Sequence, residues 1–240
     1  MNKGKFISFT ASLVLAMVFT FSCSSPDDGG SVSYGSVTYG GQSYKTVKIG
    51  NQIWMAENLN YNASGSKCYD TSPSNCDIYG RLYSWSAAMG FSSNCDSNIC
   101  TSQIQQLHRG ICPSGWHIPS DADWDELFLY VDNENGGDGE SYENAYNSYT
   151  AGKYLKATKG WNTYEDTSGG GTDKYGFSAL PGGYGGGGAG YEGYWWSTST
   201  KEGYGSYMSL VYVRSMNYND NGISRNGSNN GFFSIRCVKD

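Results

Sequence analysis

The sequence is poor in charge, proline and histidine. Asp, Glu, Lys and Arg make up 16% of the 240 residues, beside five prolines and two histidines. A chain this low in Leu, Ala, Glu and Lys is not a helical bundle or a coiled coil. Scarce proline, and glycine without a three-residue period, exclude collagen. With His108 and His117 the only histidines and no Cys-x2-Cys pair, a structural zinc site lacks its ligands. Basic residues are outnumbered 22 to 16, for a net charge of −6. That opposes nucleic-acid binding, which needs a basic stripe. What is abundant is glycine and rings: 34 Gly, 21 Tyr and an aromatic share of 15%. Disordered chains are poor in aromatics. The remaining class is a strand- and loop-rich globular domain with a core built from rings.

The N-terminus reads as a targeting segment. Lys3 and Lys5 precede an almost uncharged apolar stretch over residues 6–21, too short for a comfortable membrane span. It ends at Phe21-Ser22-Cys23, which resembles a bacterial lipoprotein signal. That resemblance implies removal of residues 1–22 and lipidation of Cys23. Residues 23–36 then read as a solvated tether carrying Asp27 and Asp28. Removal of Lys3 and Lys5 leaves a mature charge of 14 − 22 = −8. The expected address is the cell envelope, as an outer-membrane lipoprotein held by its lipid alone, or secreted if Cys23 stays unmodified.

Six further cysteines remain, an even number in an exported chain, which favours disulfides over free thiols. Six cysteines allow 15 connectivities. Cys68 and Cys76 bracket one short polar loop, and Cys95 and Cys100 another. Neither loop is able to order itself by burial. Pairing each locally leaves Cys112 with Cys237, a closure across more than half the chain.

Residues 37–240 read as a single α+β domain, because no charge run or proline-rich linker divides them. Strands are expected at 37–39, 44–49 and 52–55. Residues 80–89 read as a helix with Leu82, Trp85 and Met89 on one face. Ser120 reads as the N-cap of the clearest helix, with Trp124, Leu127, Phe128 and Val131 as its apolar stripe. A third short helix is expected over 151–158. Strands follow near 177–180, 195–197, 206–214, 223–224 and 232–238.

The segments Gly50-Asn51-Gln52-Ile53-Trp54-Met55-Ala56-Glu57-Asn58-Leu59, Tyr79-Gly80-Arg81-Leu82-Tyr83, Cys112-Pro113-Ser114-Gly115-Trp116-His117, Gly176-Phe177-Ser178-Ala179-Leu180-Pro181-Gly182-Gly183 and Ser234-Ile235-Arg236-Cys237 resemble, in order, the Fibrobacter succinogenes major paralogous domain. That family is similar to the formylglycine-generating-enzyme and C-type-lectin-like superfamily. The resemblance implies a disulfide-stapled, C-type-lectin-like domain with two or three short helices, a small antiparallel sheet and long loops. It also implies that the first and last parts of the domain meet, which suits a Cys112–Cys237 bridge.

No catalytic set emerges. Cys95-x4-Cys100 has a spacing that tempts comparison with the cysteine pair of formylglycine-generating enzymes. It lies in the N-terminal half, without the cations that activate a thiol. His117 precedes a helix and reads as buried or capping, and His108 as exposed. Residues 132–140 are rich in oxygen ligands, but a glycine stands at the fifth calcium-loop position, so calcium is unsupported and no cofactor is expected. The best lead is the ring- and glycine-rich segment 184–207, with Tyr184, Tyr191, Tyr194, Trp195, Trp196, Tyr204 and Tyr207. Rings with exposed faces stack on sugars or on other aromatic groups, whereas Trp195-Trp196-Ser197 also reads as a core strand whose rings are hidden. The expected partner is therefore a polysaccharide or a surface protein, bound without catalysis. An oxidase-like enzyme and a purely structural surface protein are the alternatives.

Overall fold

The computed structural model describes residues 32–98, 100–142, 145–201, 209–228 and 230–240. Cys23, Tyr204 and Tyr207 lie outside the described residues. The compact unit begins at Val32, inside the segment read as a tether, and its first strand starts at Tyr34.

The architecture is α+β. Its helices are α1 (Pro73–Tyr79), α2 (Trp85–Met89), α3 (Asp121–Asn135) and α4 (Ala151–Leu155). Helix α3 forms for the local reasons its sequence gives. Ser120 Oγ accepts from the Asp123 amide, and the Asp123 carboxylate accepts from the Ser120 amide, a reciprocal capping box. Trp124, Leu127, Phe128 and Val131 are all buried. Gly136 ends the helix in the left-handed region, at φ 63°. Helix α1 was not expected, and helix α4 is shorter than expected.

The helix read over 80–89 is corrected. Leu82–Tyr83 is a strand that pairs with Ser66–Lys67, and only Trp85–Met89 is helical. Ser84 caps that helix, its hydroxyl accepting from the Ala87 amide. Strand pairing outcompeted the helical spacing of Leu82, Trp85 and Met89.

Two five-stranded sheets organise the domain. The first runs Tyr34–Tyr39, Gln42–Ile49, Gln52–Met55, Val238–Lys239 and Trp116–His117, antiparallel throughout. The last strand of the chain is thus inserted beside the third, and the two ends of the domain meet. The second runs Gly187–Ala189, Gly182–Tyr184, Glu192–Lys201, Leu210–Asn217 and Ser224–Ser228. It holds one parallel pairing, Gly183 with Gly193. Gly183 stands at φ 68°, and a Cβ there would lie 2.4 Å from the Gly187 carbonyl oxygen. Only glycine fits that crossing.

Glu192–Lys201 is the central strand, buried on both faces. Successive side chains of a strand point to opposite sides. Trp195 enters a cluster with Trp54, Trp124 and Phe177, and Trp196 enters another with Trp85, Tyr83 and Ile235. Each fully buried ring contributes on the order of 2–3 kcal/mol of transfer free energy. The register with Leu210–Asn217 breaks between Trp196 and Thr200. There Thr198 N–H donates to the Pro119 carbonyl, and Ser199 Oγ accepts from the Asp121 amide. The irregular strand thereby holds the start of α3.

The disulfides are Cys68–Cys76, Cys95–Cys100 and Cys112–Cys237, the pairing expected from parity and local loops. Among the described residues no helix is long and apolar enough to cross a membrane.

Candidate binding site

The sequence-derived aromatic segment does not form one site. For Trp195 and Trp196 the core reading holds and the ligand reading is corrected: both are 0% exposed and face the two cores, so neither ring offers a face to a ligand. Their indole nitrogens are also occupied. Trp195 Nε1 donates to Asn58 Oδ1 at 2.8 Å, and Trp196 Nε1 donates to the Tyr83 carbonyl at 2.8 Å.

Tyr184 and Tyr194 do meet. They line a groove of about 300 Å³ on the second sheet with Phe233, Val213, Asn226 and Ser228. Tyr184 is 41% exposed and stands at 89° to Tyr194, centroids 6.0 Å apart. Tyr194 packs on Phe233 at 5.4 Å, Phe233 on Trp196 at 4.6 Å, and Trp196 on Trp85 at 5.6 Å. A continuous row of rings thus runs from solvent to the core, and an anchored ring loses little entropy on binding. Burial, helped by Glu192, pushes the Tyr194 phenol up to about 12, so its hydroxyl remains a donor at neutral pH.

The glycine run beside this groove is an ordered hairpin end rather than a loose loop. Gly182–Tyr184 pairs with Gly187–Ala189. Gly185 N–H donates to the Phe232 carbonyl at 3.0 Å, and its own carbonyl accepts from Lys67 Nζ at 2.8 Å. Lys67 Nζ also lies 4.4 Å from the Phe232 ring centroid. Tyr191 belongs elsewhere: its ring meets Tyr218 edge-on at 5.1 Å.

The residues that carry the family resemblance converge on a buried polar knot. Arg236 is 0% exposed and forks between Asn58 Oδ1, at 2.7 and 3.1 Å, and the carbonyls of Phe177 and Ser178. Its guanidinium lies 4.3 Å from the Phe177 ring centroid. Burial pushes it down to about 9, against the pull of Asp173 and Glu57, so it stays charged at neutral pH. Sequence reasoning singled out these motifs without reading this role, because the partners are separated by up to 178 positions.

The remaining polar candidates have structural partners. His108 is buried rather than exposed: Nδ1 accepts from the Gln105 amide and Nε2 faces the Met89 carbonyl at 2.9 Å. Asp132 and Asn135 belong to α3, not to a loop. The Asp132 carboxylate accepts from the hydroxyls of Tyr146, Ser148 and Thr150 at 2.7–2.9 Å. Among the described residues no cluster of three or more His, Cys, Asp or Glu is arranged to hold a metal.

His117 is buried between two carboxylates. Nδ1 lies 2.8 Å from Asp240 Oδ1, and Nε2 lies 3.5 Å from Asp123 Oδ2, a charge contact longer than a good hydrogen bond. Burial pushes its pKa down, but Asp123 and Asp240 push it up further, leaving it above the usual value. A base with a raised folded-state pKa stabilises fully below its unfolded pKa, near 6.5. That contribution is lost as pH rises through the folded value. Urea titrations of wild type and His117→Asn are therefore expected to differ more at pH 6 than at pH 9. A constant difference across that range would show that the imidazole charge contributes nothing.

The model of the Fibrobacter succinogenes major domain matches residues 47–239. No curated protein and no solved structure matches the chain.

Proposed function

The chain belongs to the Fibrobacter succinogenes major domain family, and from that premise we propose that it is a non-catalytic, lipid-anchored binding module of the cell envelope. It takes a polysaccharide or a surface protein through the groove of Tyr184, Tyr194 and Phe233. The observation that carries this reading is the exposed Tyr184 ring, backed by a row of rings that ends in the core. Stacking needs a ring that is both open to solvent and held in place, and Tyr184 is both. We read the α+β fold as C-type-lectin-like, supported by the pairing of Gln52–Met55 with Val238–Lys239. The oxidase-like alternative needs two thiols at Cys95 and Cys100, whereas their sulfurs are joined.

The test has two arms. In the first, the purified domain is run through gels containing neutral polysaccharides and over a glycan array, and is also used as bait for surface proteins. Tyr184→Ala is expected to weaken retention at least tenfold, about 1.4 kcal/mol, with little change in thermal stability because the ring is exposed. Unchanged retention of Tyr184→Ala on every ligand found would remove this groove from the function. In the second, mass spectrometry of the N-terminal peptide from native cells reads the lipid on Cys23. An unmodified Cys23 would make the protein secreted rather than anchored.

A further inference from the structure

A second aromatic groove lies away from the first, and none of its lining rings belongs to the ring- and glycine-rich segment. Its volume is about 370 Å³. Tyr164 comes from the small hairpin Thr163–Tyr164 with Thr167–Ser168, Tyr218 follows the strand Leu210–Asn217, and Tyr149 precedes α4. Tyr164 meets Tyr218 edge-on at 5.7 Å and 87°, and Tyr191 meets Tyr218 from another position at 5.1 Å and 88°. Three of these rings are markedly exposed: Tyr149 at 53%, Tyr164 at 42% and Tyr191 at 49%. Three tyrosines from distant parts of the chain therefore line one groove, and Tyr191 contacts the Tyr218 ring from outside that lining.

The walls between the rings are fixed from below. Lys156 is 1% exposed, and its ammonium donates to the carbonyls of Gly169, Asn217 and Asp220 at 2.7–3.0 Å. Gly169 belongs to the Tyr164 side, and Asn217 and Asp220 belong to the Tyr218 side. One buried cation thus ties both rims. A Cβ on Gly169 would lie 2.6 Å from the Tyr218 carbonyl oxygen, so the rims touch at that point. With its three donors spent on carbonyls, Lys156 has none left for an anion.

The rest of the lining is hydroxyl and amide: Thr167, Ser168, Asn219 and Asn221, with Asp220 the single acid. Among the described residues no Val, Leu, Ile or Met lines the groove. This composition suits neither an apolar helix nor a phosphorylated ligand, and the acidic chain repels polyanions. Flat rings interleaved with neutral donors and acceptors match a pyranose, whose faces are apolar and whose edges carry hydroxyls. We infer that the groove of Tyr149, Tyr164 and Tyr218 is a second binding site, for a neutral oligosaccharide segment. Two separate sites of this kind make the domain bivalent toward a polymer, which raises retention on a chain without any new contact. This inference rests on the saccharide form of the reading above.

Isothermal titration of the intact mature protein with neutral hexasaccharides, such as cellohexaose, xylohexaose and mannohexaose, separates the two. Wild type is expected to bind two equivalents of one of them. Tyr149→Ala/Tyr164→Ala is expected to bind one, through the Tyr184 groove, and Tyr184→Ala is expected to bind one through the second groove. Both variants remove exposed rings, and a circular-dichroism melt confirms that each is folded. A single equivalent in wild type that survives unchanged in Tyr149→Ala/Tyr164→Ala overturns the second site and leaves the first standing. A single equivalent abolished by Tyr149→Ala/Tyr164→Ala but not by Tyr184→Ala does the reverse. No hexasaccharide binding to wild type overturns the second site, while the surface-protein form of the first reading remains open to its own pull-down.

Discussion

Replacing Arg236 with methionine is expected to destabilise the domain by about 3–5 kcal/mol. The guanidinium is the sole donor from this side chain to two backbone carbonyls, of Phe177 and Ser178. Each buried acceptor left without a partner costs about 1–3 kcal/mol. Asn58 Oδ1 suffers less, because it still accepts from Trp195 Nε1. The substitution also relieves the desolvation of a buried charge, and in many proteins that relief cancels the loss. Here it does not, because the orphaned carbonyls are held by a tight turn, with Gly176 at φ 69° and Ser178 at φ 53°. Ser178 is pinned further by Asp173, which accepts from its amide at 2.7 Å and from its hydroxyl at 2.6 Å. Arg236→Lys is expected to fall between wild type and methionine, since one ammonium cannot reproduce a planar fork. Urea unfolding followed by tryptophan fluorescence measures all three. A loss below about 1 kcal/mol for Arg236→Met would mean that water reaches the carbonyls and that the knot is not a stabilising centre.

Removing the Cys112–Cys237 bridge is expected to have a similar or larger effect. Its half-cystines are 125 positions apart, against five for Cys95–Cys100. In the chain-entropy description the long closure is worth about 5 kcal/mol and the short one about 2 kcal/mol. The bridge also lies where the folded chain returns on itself. Cys237 C=O accepts from Met55 N–H at 3.0 Å, and Asp240 N–H donates to the Gly115 carbonyl at 3.0 Å. Without the bridge, the unfolded chain must bring the two ends of the domain together unaided before the first sheet is complete. Cys112→Ala/Cys237→Ala is therefore expected to unfold at much lower urea than Cys95→Ala/Cys100→Ala. Equal midpoints for the two double variants would contradict the loop-length argument and point to native-state strain or residual unfolded structure instead.

What was readable from the sequence was local in origin. Helix α3 was visible because its cap and its apolar stripe lie within one short segment. The disulfide pairing was visible because two pairs close short loops, which leaves the third by elimination. The misread helix at 80–89 shows the opposite case. Its apolar spacing was genuine, but Leu82–Tyr83 found a partner strand at Ser66–Lys67, and pairing overrode spacing. His108 was misplaced for a related reason. Its polar neighbours suggested the surface, while its ring packs against Phe91 at 5.1 Å.

The binding surfaces were half legible. Tyr184 and Tyr194 were identified through their crowding with glycine, and they do share a groove. Tyr149, Tyr164 and Tyr218 were not, because no local pattern joins residues so far apart. Composition by itself established that this chain builds with rings and glycine instead of charge and aliphatics. That choice excluded helical bundles and collagen, and the chain forms an α+β domain closed by three disulfides. Only the tertiary structure decided which rings are core and which are surface. Exposure is a property of what covers each face, and the central strand is covered on both. Adjacent Trp195 and Trp196 therefore vanish into two different cores, while tyrosines from three separate segments come to share one open groove.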